Sequence, residues 1–365
     1  MGNAQNQYIP DNVSPPGVTL LEVLEAKGLT QAELADRTGR PRKTINEIVK
    51  GKAGLTPETA IQLERVLGVP ASFWNARERQ FRECLARKSE RTVLEKQRAW
   101  LKGFPLPAMV ERGIVQAASD HVEQARLVLN FFGVASPDQF DAVYGSKVEA
   151  CQFRRSKTQA KGIGAVAVWL RLGEIRATEL DAPAYDEDAF RSALSRIRAL
   201  TASPIKDAFR GAGELCRKAG VALLAVEELP GMAISGATRW LHGERPVVQL
   251  TLRYKTDDQF WFTFFHESGH ILLHGRKEMF LETRGDSPDD REREADAFAA
   301  NLLIPQPMYQ QLLSQQVTAE RVRAFATVHD VAAGIVVGRL QHDKRIPFDW
   351  LNGLKRKLKW VDRTD

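Results

Sequence analysis

The chain has 365 residues, 43% of them hydrophobic and 27% charged, with a net charge of +6, an ordinary globular composition with length for two or three domains. Its longest apolar run, Gly162 to Leu170, is too short to span a bilayer. The three cysteines, Cys84, Cys151 and Cys216, form no paired motif, which excludes a disulfide framework and a cysteine zinc knuckle and fits a reducing compartment.

Residues 1–15 are polar and rich in Pro and Gly, without the basic and apolar segments of a secretory signal, and read as a flexible tail of a cytoplasmic protein. From Pro16 to Asn75 short helices alternate with clear stops. Leu20, Leu21, Leu24 and Leu29 suit a first helix facing a small core, ended by Gly28. Thr30-Gln-Ala-Glu33 has the form of a capping box opening a second helix that stops at Gly39. A third runs from about Arg42 to Lys50, and Thr56-Pro57-Glu58 caps a fourth. Two short helices joined by a tight glycine turn make the helix-turn-helix layout, in which the second helix enters the major groove. On it Arg42, Lys43, Thr44 and Asn46 face DNA first. Arg can pair with guanine and Asn with adenine, Lys50 meets phosphate, and Gln31 at the start of the preceding helix can hold another phosphate.

The stretch LTQAELADRTGRPRKTINEIVKGKAGLTPETAIQLERVLGVPASFW resembles the XRE/Cro helix-turn-helix family, and within it HigA-like antitoxins, over about sixty residues. Two positions depart from the pattern: Arg40 stands where an apolar residue is common and Pro41 where a Ser or Thr cap is common. The resemblance implies binding of double-stranded DNA, with a homodimer matching a palindrome. A bundle used only for dimerisation or toxin binding is the competing reading.

Between Ala76 and Lys102, Lys or Arg stands at 77, 79, 82, 87, 88, 91, 96, 98 and 102. This is either a solvated helix face or a phosphate-contacting surface. Residues 76–160 read as a helical connector with no evident chemistry, and the FRRSK run at 153–157 as solvated.

The chemistry begins after residue 220. Val221–Val226, Ile234–Leu241 and Pro246–Tyr254 read as strands, the last two a hairpin about Gly243-Glu244-Arg245. A helix starts near Asp257-Asp258 and carries Trp261, Phe262, Phe264 and Phe265, then His266-Glu-Ser-Gly-His270. Residues four apart share one helix face, so both histidines can aim an imidazole at one Zn2+ ion. Such an ion brings the pKa of a water towards neutrality; Glu267 can accept that proton as the water attacks a peptide carbonyl, then pass it to the leaving amine. His274 continues the row but cannot reach the same ion, which leaves it a supporting or structural role. A second helix opens at Ser287-Pro288-Asp289-Asp290 and runs through REREADAFAANLLIP to Pro305. Glu292 projects from the end of its apolar face and is the preferred third ligand, with Glu294 as competitor; Asp296 can orient a ligand histidine.

The stretch GATRWLHGERPVVQLTLRYKTDDQFWFTFFHESGHILLHG, with the later EREADAFAANLLIP, closely resembles the ImmA/IrrE family of zinc metallopeptidases over roughly 140 residues. The resemblance implies His266, His270 and Glu292 as zinc ligands, Glu267 as general base, and limited proteolysis of a regulatory protein such as a repressor or antitoxin, or of the chain itself. The alternative is an antitoxin-like transcriptional repressor whose zinc fold is a non-catalytic sensor or scaffold. Strand Gly236–Trp240 can offer an edge to an extended peptide, and His242, Arg253, Tyr254, His274 and His329 are open candidates for stabilising a transition state. The region after Pro305 reads helical, with Arg339 and the KRKLK run at 355–359 on the surface.

The expected fold class is therefore α+β: an all-α helix-turn-helix domain over 16–75, the connector over 76–160, a zincin-like domain with a small antiparallel sheet and the HExxH helix over 161–305, and a C-terminal helical region over 306–365. No part is expected in a membrane.

Overall fold

A computed structural model describes residues 13–145, 148, 162–276, 279–283 and 290–360. The expectations for the first twelve residues of the tail, for Cys151 and the FRRSK run, and for the Ser287-Pro288-Asp289 cap lie outside the described residues. The chain forms two compact units, Met1–Arg98 and Ala99–Asp365.

The first unit is all helical: α1 (Pro16–Ala26), α2 (Gln31–Thr38), α3 (Arg42–Val49), α4 (Pro57–Leu67) and α5 (Ala71–Lys96). Thr30 and Glu33 close the capping box at the start of α2: the Thr30 hydroxyl accepts from the Glu33 amide at 3.2 Å, and the Thr30 amide donates to the Glu33 carboxylate at 2.8 Å. Leu20, Leu24, Leu34, Ile45, Ile48, Leu63, Leu67 and Trp74 share one core. Leu21, expected in it, is exposed, because the buried stripe of α1 runs through Gly17, Leu20 and Leu24. Gly17 lets α1 touch α3: a Cβ there would fall 2.2 Å from the Val49 carbonyl oxygen. Helix α5 runs unbroken past residue 76. Its basic residues pair along their own helix, Arg82 with Glu78, Arg87 with Glu83 and Arg91 with Glu95, as a self-neutralised solvated face does.

The boundary between the units falls within α6 (Arg98–Leu101), and α7 (Leu106–Glu111), α8 (His121–Phe132) and α9 (Pro137–Phe140) follow in the second. An aromatic cluster of Trp100, Phe104, Phe132 and Phe140 joins them, with ring centroids 4.7–5.6 Å apart. The apolar run at 162–170 forms the first half of α10 (Ile163–Glu179), where Gly164 through Leu170 are all buried. Helices α11 (Glu187–Leu200) and α12 (Ile205–Lys218) follow.

Four strands, β1 (Ala222–Ala225), β2 (Ile234–Leu241), β3 (Arg245–Leu250) and β4 (Phe280–Thr283), form a sheet in the order β1-β3-β2-β4. The β2–β3 hairpin turns through His242 and Gly243, both at positive φ, the backbone of a type I′ turn. The sheet is mixed, not antiparallel throughout, because β1 runs parallel to β3. Strand β2 is also not an edge over the residues that matter: β4 pairs with it from Ile234 to Thr238, so a peptide cannot add there. The sheet ends instead at β4.

Helix α13 (Asp257–Leu273) packs on this sheet, and α14 (Asp290–Leu303) packs on α13. Trp261, Phe264 and Phe265 share a core with Val248 and Leu250 of β3 and with Val336, Val337 and Leu340 of α17 (Ala333–His342), which follows α15 (Gln306–Leu313) and α16 (Ala319–Val328). Residues 306–360 thus belong to the core that holds the metal-motif helix.

Candidate metal centre

Two helices build the site. The aromatic residues of α13 bury it so completely that His266, Glu267 and His270 are all inaccessible. Helix α14 comes close enough to contribute because of Gly269: a Cβ there would sit 3.2 Å from both the Ala295 Cα and the Phe298 ring. Among the described residues, one group has metal-ligand chemistry at metal-ligand spacing: His266, His270 and Glu292, all buried.

The geometry fits zinc. His266 Nε2 and His270 Nε2 stand 3.0 Å apart, and Glu292 Oε2 lies 3.2 Å from the first and 3.6 Å from the second. Donors about 2.0–2.1 Å from a tetrahedral zinc sit about 3.3 Å from one another, so the three match one face of such a tetrahedron. The His266 tautomer agrees. His266 Nδ1 lies 2.8 Å from Asp296 Oδ1; a carboxylate only accepts, so Nδ1 carries the hydrogen and Nε2 presents an electron pair. An electron pair facing a carboxylate oxygen is repulsive unless a proton or a cation lies between them. The donor set is therefore one that a divalent ion would hold together.

The structure brings Glu292 to the histidines, and Glu294 elsewhere: its carboxylate bonds His274 Nε2 at 3.2 Å. Asp296 takes the orienting position anticipated for it. Glu267 lies outside the three-donor group. Its carboxylate lies against β2 at Gly236, where a Cβ would come within 2.8 Å of Oε1, and its carbonyl accepts from the Thr238 hydroxyl at 2.9 Å. Phe280 of β4 stacks face-on upon His270, with centroids 3.9 Å apart and ring planes 14° apart, and Phe262 flanks His266. Gly236 and Phe280 were not singled out as site residues in the sequence. For Gly236 the signal was a glycine interrupting a strand pattern; Phe280 gave none.

Of the transition-state candidates, His242 is in the hairpin turn, His329 caps α16 against Phe325, and Arg253 donates to the Ala233 carbonyl and covers Tyr254. His274 touches a metal donor, with its Nδ1 2.9 Å from His270 Nδ1. At the start of α13 the two acidic residues are buried, not surface charges. Asp257 accepts from the Arg356 amide at 2.9 Å and from its guanidinium at 2.7 Å, and Asp258 pairs with Lys355 at 2.6 Å. The KRKLK run is thus a fastener, not a free surface. Burial pushes the Asp257 carboxyl above the usual carboxylate range, against the downward pull of Arg356.

In the first unit, Arg42, Lys43, Asn46 and Lys50 are exposed on or just after α3, Thr44 is half-buried, and Gln31 opens α2. Arg42 lies 3.6 Å from Asp36 and Lys43 3.9 Å from Glu47, both loose surface pairs. The two departures acquire a local account. Arg40 donates to Gln62 of α4 at 2.8 Å, so a polar side chain serves that position. Pro41 stands at the N-cap of α3 without a side-chain cap bond.

Fold and site define a two-part protein, a helix-turn-helix unit of the DNA-binding kind and a metallopeptidase-type unit. Residues 20–74 match the helix-turn-helix family model, and residues 216–341 match that of the IrrE N-terminal-like domain. The chain is 38% identical to virulence-associated protein A of Dichelobacter nodosus over 65 residues, 17% of this chain. The match spans 64% of that relative's length. Among solved structures it is similar to a putative antidote protein of a plasmid maintenance system from Nostoc punctiforme (24% identity, 23% of this chain, 93% of that one, TM-score 0.23). A HigA-family addiction module antidote protein from Coxiella burnetii is similar too (24% identity, 23% and 91% covered, TM-score 0.21). Among the described residues no helix is long and apolar enough to cross a membrane.

Proposed function

We propose that the chain is a transcriptional regulator whose second unit is a zinc-dependent endopeptidase acting on a regulatory protein: a repressor, an antitoxin or the chain itself. The observation that carries this reading is the coincidence of an open three-donor set with a buried carboxylate beside it that is not part of the set. A structural zinc site fills four positions with protein ligands; a catalytic one keeps a position open.

His266, His270 and Glu292 would hold the ion. When bound, zinc supplies Lewis-acid polarisation and a nucleophile at neutral pH. Glu267, adjacent to the first ligand, takes a proton from the attacking water and returns it to the leaving amine. Asp296 holds the His266 ring with Nε2 turned inward. The aromatic side chains of α13 keep bulk water from the helix, which strengthens each charge interaction. In the first unit Arg42, Lys43, Thr44 and Asn46 read base edges while Gln31 and Lys50 hold phosphates, in a homodimer on a palindromic site.

Metal analysis of the purified chain beside three variants tests the site. One zinc per chain is expected in the wild type and in Glu267→Gln, and loss of zinc in His266→Ala and Glu292→Ala. A wild type that takes up no zinc after metal is added back would sink the peptidase reading.

A further inference from the structure

Asp296 meets Nδ1 of His266 directly, at 2.8 Å. His270 Nδ1 faces another imidazole, His274 Nδ1, at 2.9 Å, and His274 Nε2 in turn faces Glu294 Oε2 at 3.2 Å. We propose that His274 and Glu294 are positioning residues, a two-step relay that fixes His270 as the Nδ1–H tautomer with its Nε2 electron pair turned to the metal donors.

The Glu294 carboxylate only accepts, so His274 Nε2 carries the hydrogen. A neutral imidazole has one N–H, so His274 Nδ1 is an acceptor. His270 Nδ1 must then be the donor across the 2.9 Å contact, and His270 Nε2 is left bare, 3.0 Å from His266 Nε2. The reverse assignment would place an N–H on His270 Nε2, pointing at the other ligands, where a metal could not bind. The His274 side chain is only 4% exposed while that of Glu294 is 61% exposed. A buried ring with both nitrogens engaged links the ligand to a carboxylate standing in water. Phe280, stacked on His270, fixes the plane of the ring; the relay fixes which nitrogen faces which way. The two ligand histidines thus reach carboxylates of the same helix by paths of different length, Asp296 in one step and Glu294 in two.

The purpose of the relay rests on the zinc reading above, but the tautomer does not, and this separates the two tests. In zinc-free full-length protein labelled with 15N at histidine, two-bond 1H–15N correlation spectra report each tautomer, with His270 assigned from its loss in His270→Gln. Wild type should show His270 as Nδ1–H. Glu294→Ala, at an exposed position that folding tolerates, should give a tautomer mixture, and Glu294→Gln, whose amide oxygen still accepts, should restore Nδ1–H. Chelator competition should find zinc bound about 10–100-fold more weakly in His274→Ala and Glu294→Ala, and within about threefold of wild type in Glu294→Gln. His270 as Nε2–H in the zinc-free wild type would overturn the relay, as would wild-type zinc affinity in Glu294→Ala. An Nδ1–H tautomer in a wild type that takes no zinc would uphold the relay and remove the metal-centre reading instead.

Discussion

Asn46 and Lys50 lie one turn apart on the exposed side of α3 and its C-cap, while Ile45 and Ile48 anchor the other side in the core. Their chemistries differ, and so do the expected effects of removing them. Asn46→Ala should lower discrimination between the best and a mismatched duplex by about 1–3 kcal/mol. Lys50→Ala should weaken all duplexes alike and reduce the salt dependence of log K by about one unit of slope. Titrations of duplexes selected from a random pool, across a salt series, read both. Single residues were the most legible level of the sequence. The four-residue spacing of His266 and His270, and the place of Glu292 on the apolar stripe of its helix, are local facts, and the structure brings these three side chains together. What Glu294 and His274 do to each other across twenty residues is tertiary and left no local pattern.

At the scale of elements, the site is a helix crossing. Gly269 stands between the two histidine turns of α13, and Ala295 stands between Glu294 and Asp296 on α14. Their close approach sets how far Glu292 can reach. Gly269→Val should push α14 outward, weaken zinc binding at least about tenfold and cost about 1–3 kcal/mol from overpacking. Chelator competition and urea unfolding measure the two effects, and unchanged zinc affinity would show that Glu292 does not depend on this contact. The helices were readable from their caps and apolar stripes. The parallel pairing of β1 with β3 was not, since a short apolar run carries no signature of its partner's direction. Strand β4 was missed for a related reason: four residues after a helix end offer too little alternation. Its presence moves the free edge of the sheet away from β2.

At the scale of the whole second unit, the last described residues return to the first turn of α13. Arg356 spans the buried Asp257 and the carbonyls of Thr201, Ala202 and Ser203 at the end of α11. Arg356→Ala would leave Asp257 buried beside Asp258 without its main partner, at a cost of about 3 kcal/mol near neutral pH. The sign of the pH dependence follows from the raised Asp257 carboxyl. A native-state pKa above the unfolded value means that the folded chain takes up the proton more readily, so this group's contribution to stability falls as pH rises through the native pKa. Removing Arg356 raises that pKa further. The urea midpoint of the variant should therefore drop more, relative to wild type, at pH 7.5 than at pH 5; an equal drop at both would show that Asp257 keeps its charge without Arg356. The basic run at 355–359 had read as surface because a sequence does not say which charges will meet a buried acid.

That closure has a consequence in time. A ribosome releases this chain from its N-terminus, and the helix-turn-helix unit, complete by Arg98, can fold while the rest is still being made. The helix bearing His266 and His270 emerges long before Lys355 and Arg356. Its acidic first turn waits for residues made 99 positions after Asp257. A newborn chain would therefore be competent to hold DNA before its second centre is fastened shut.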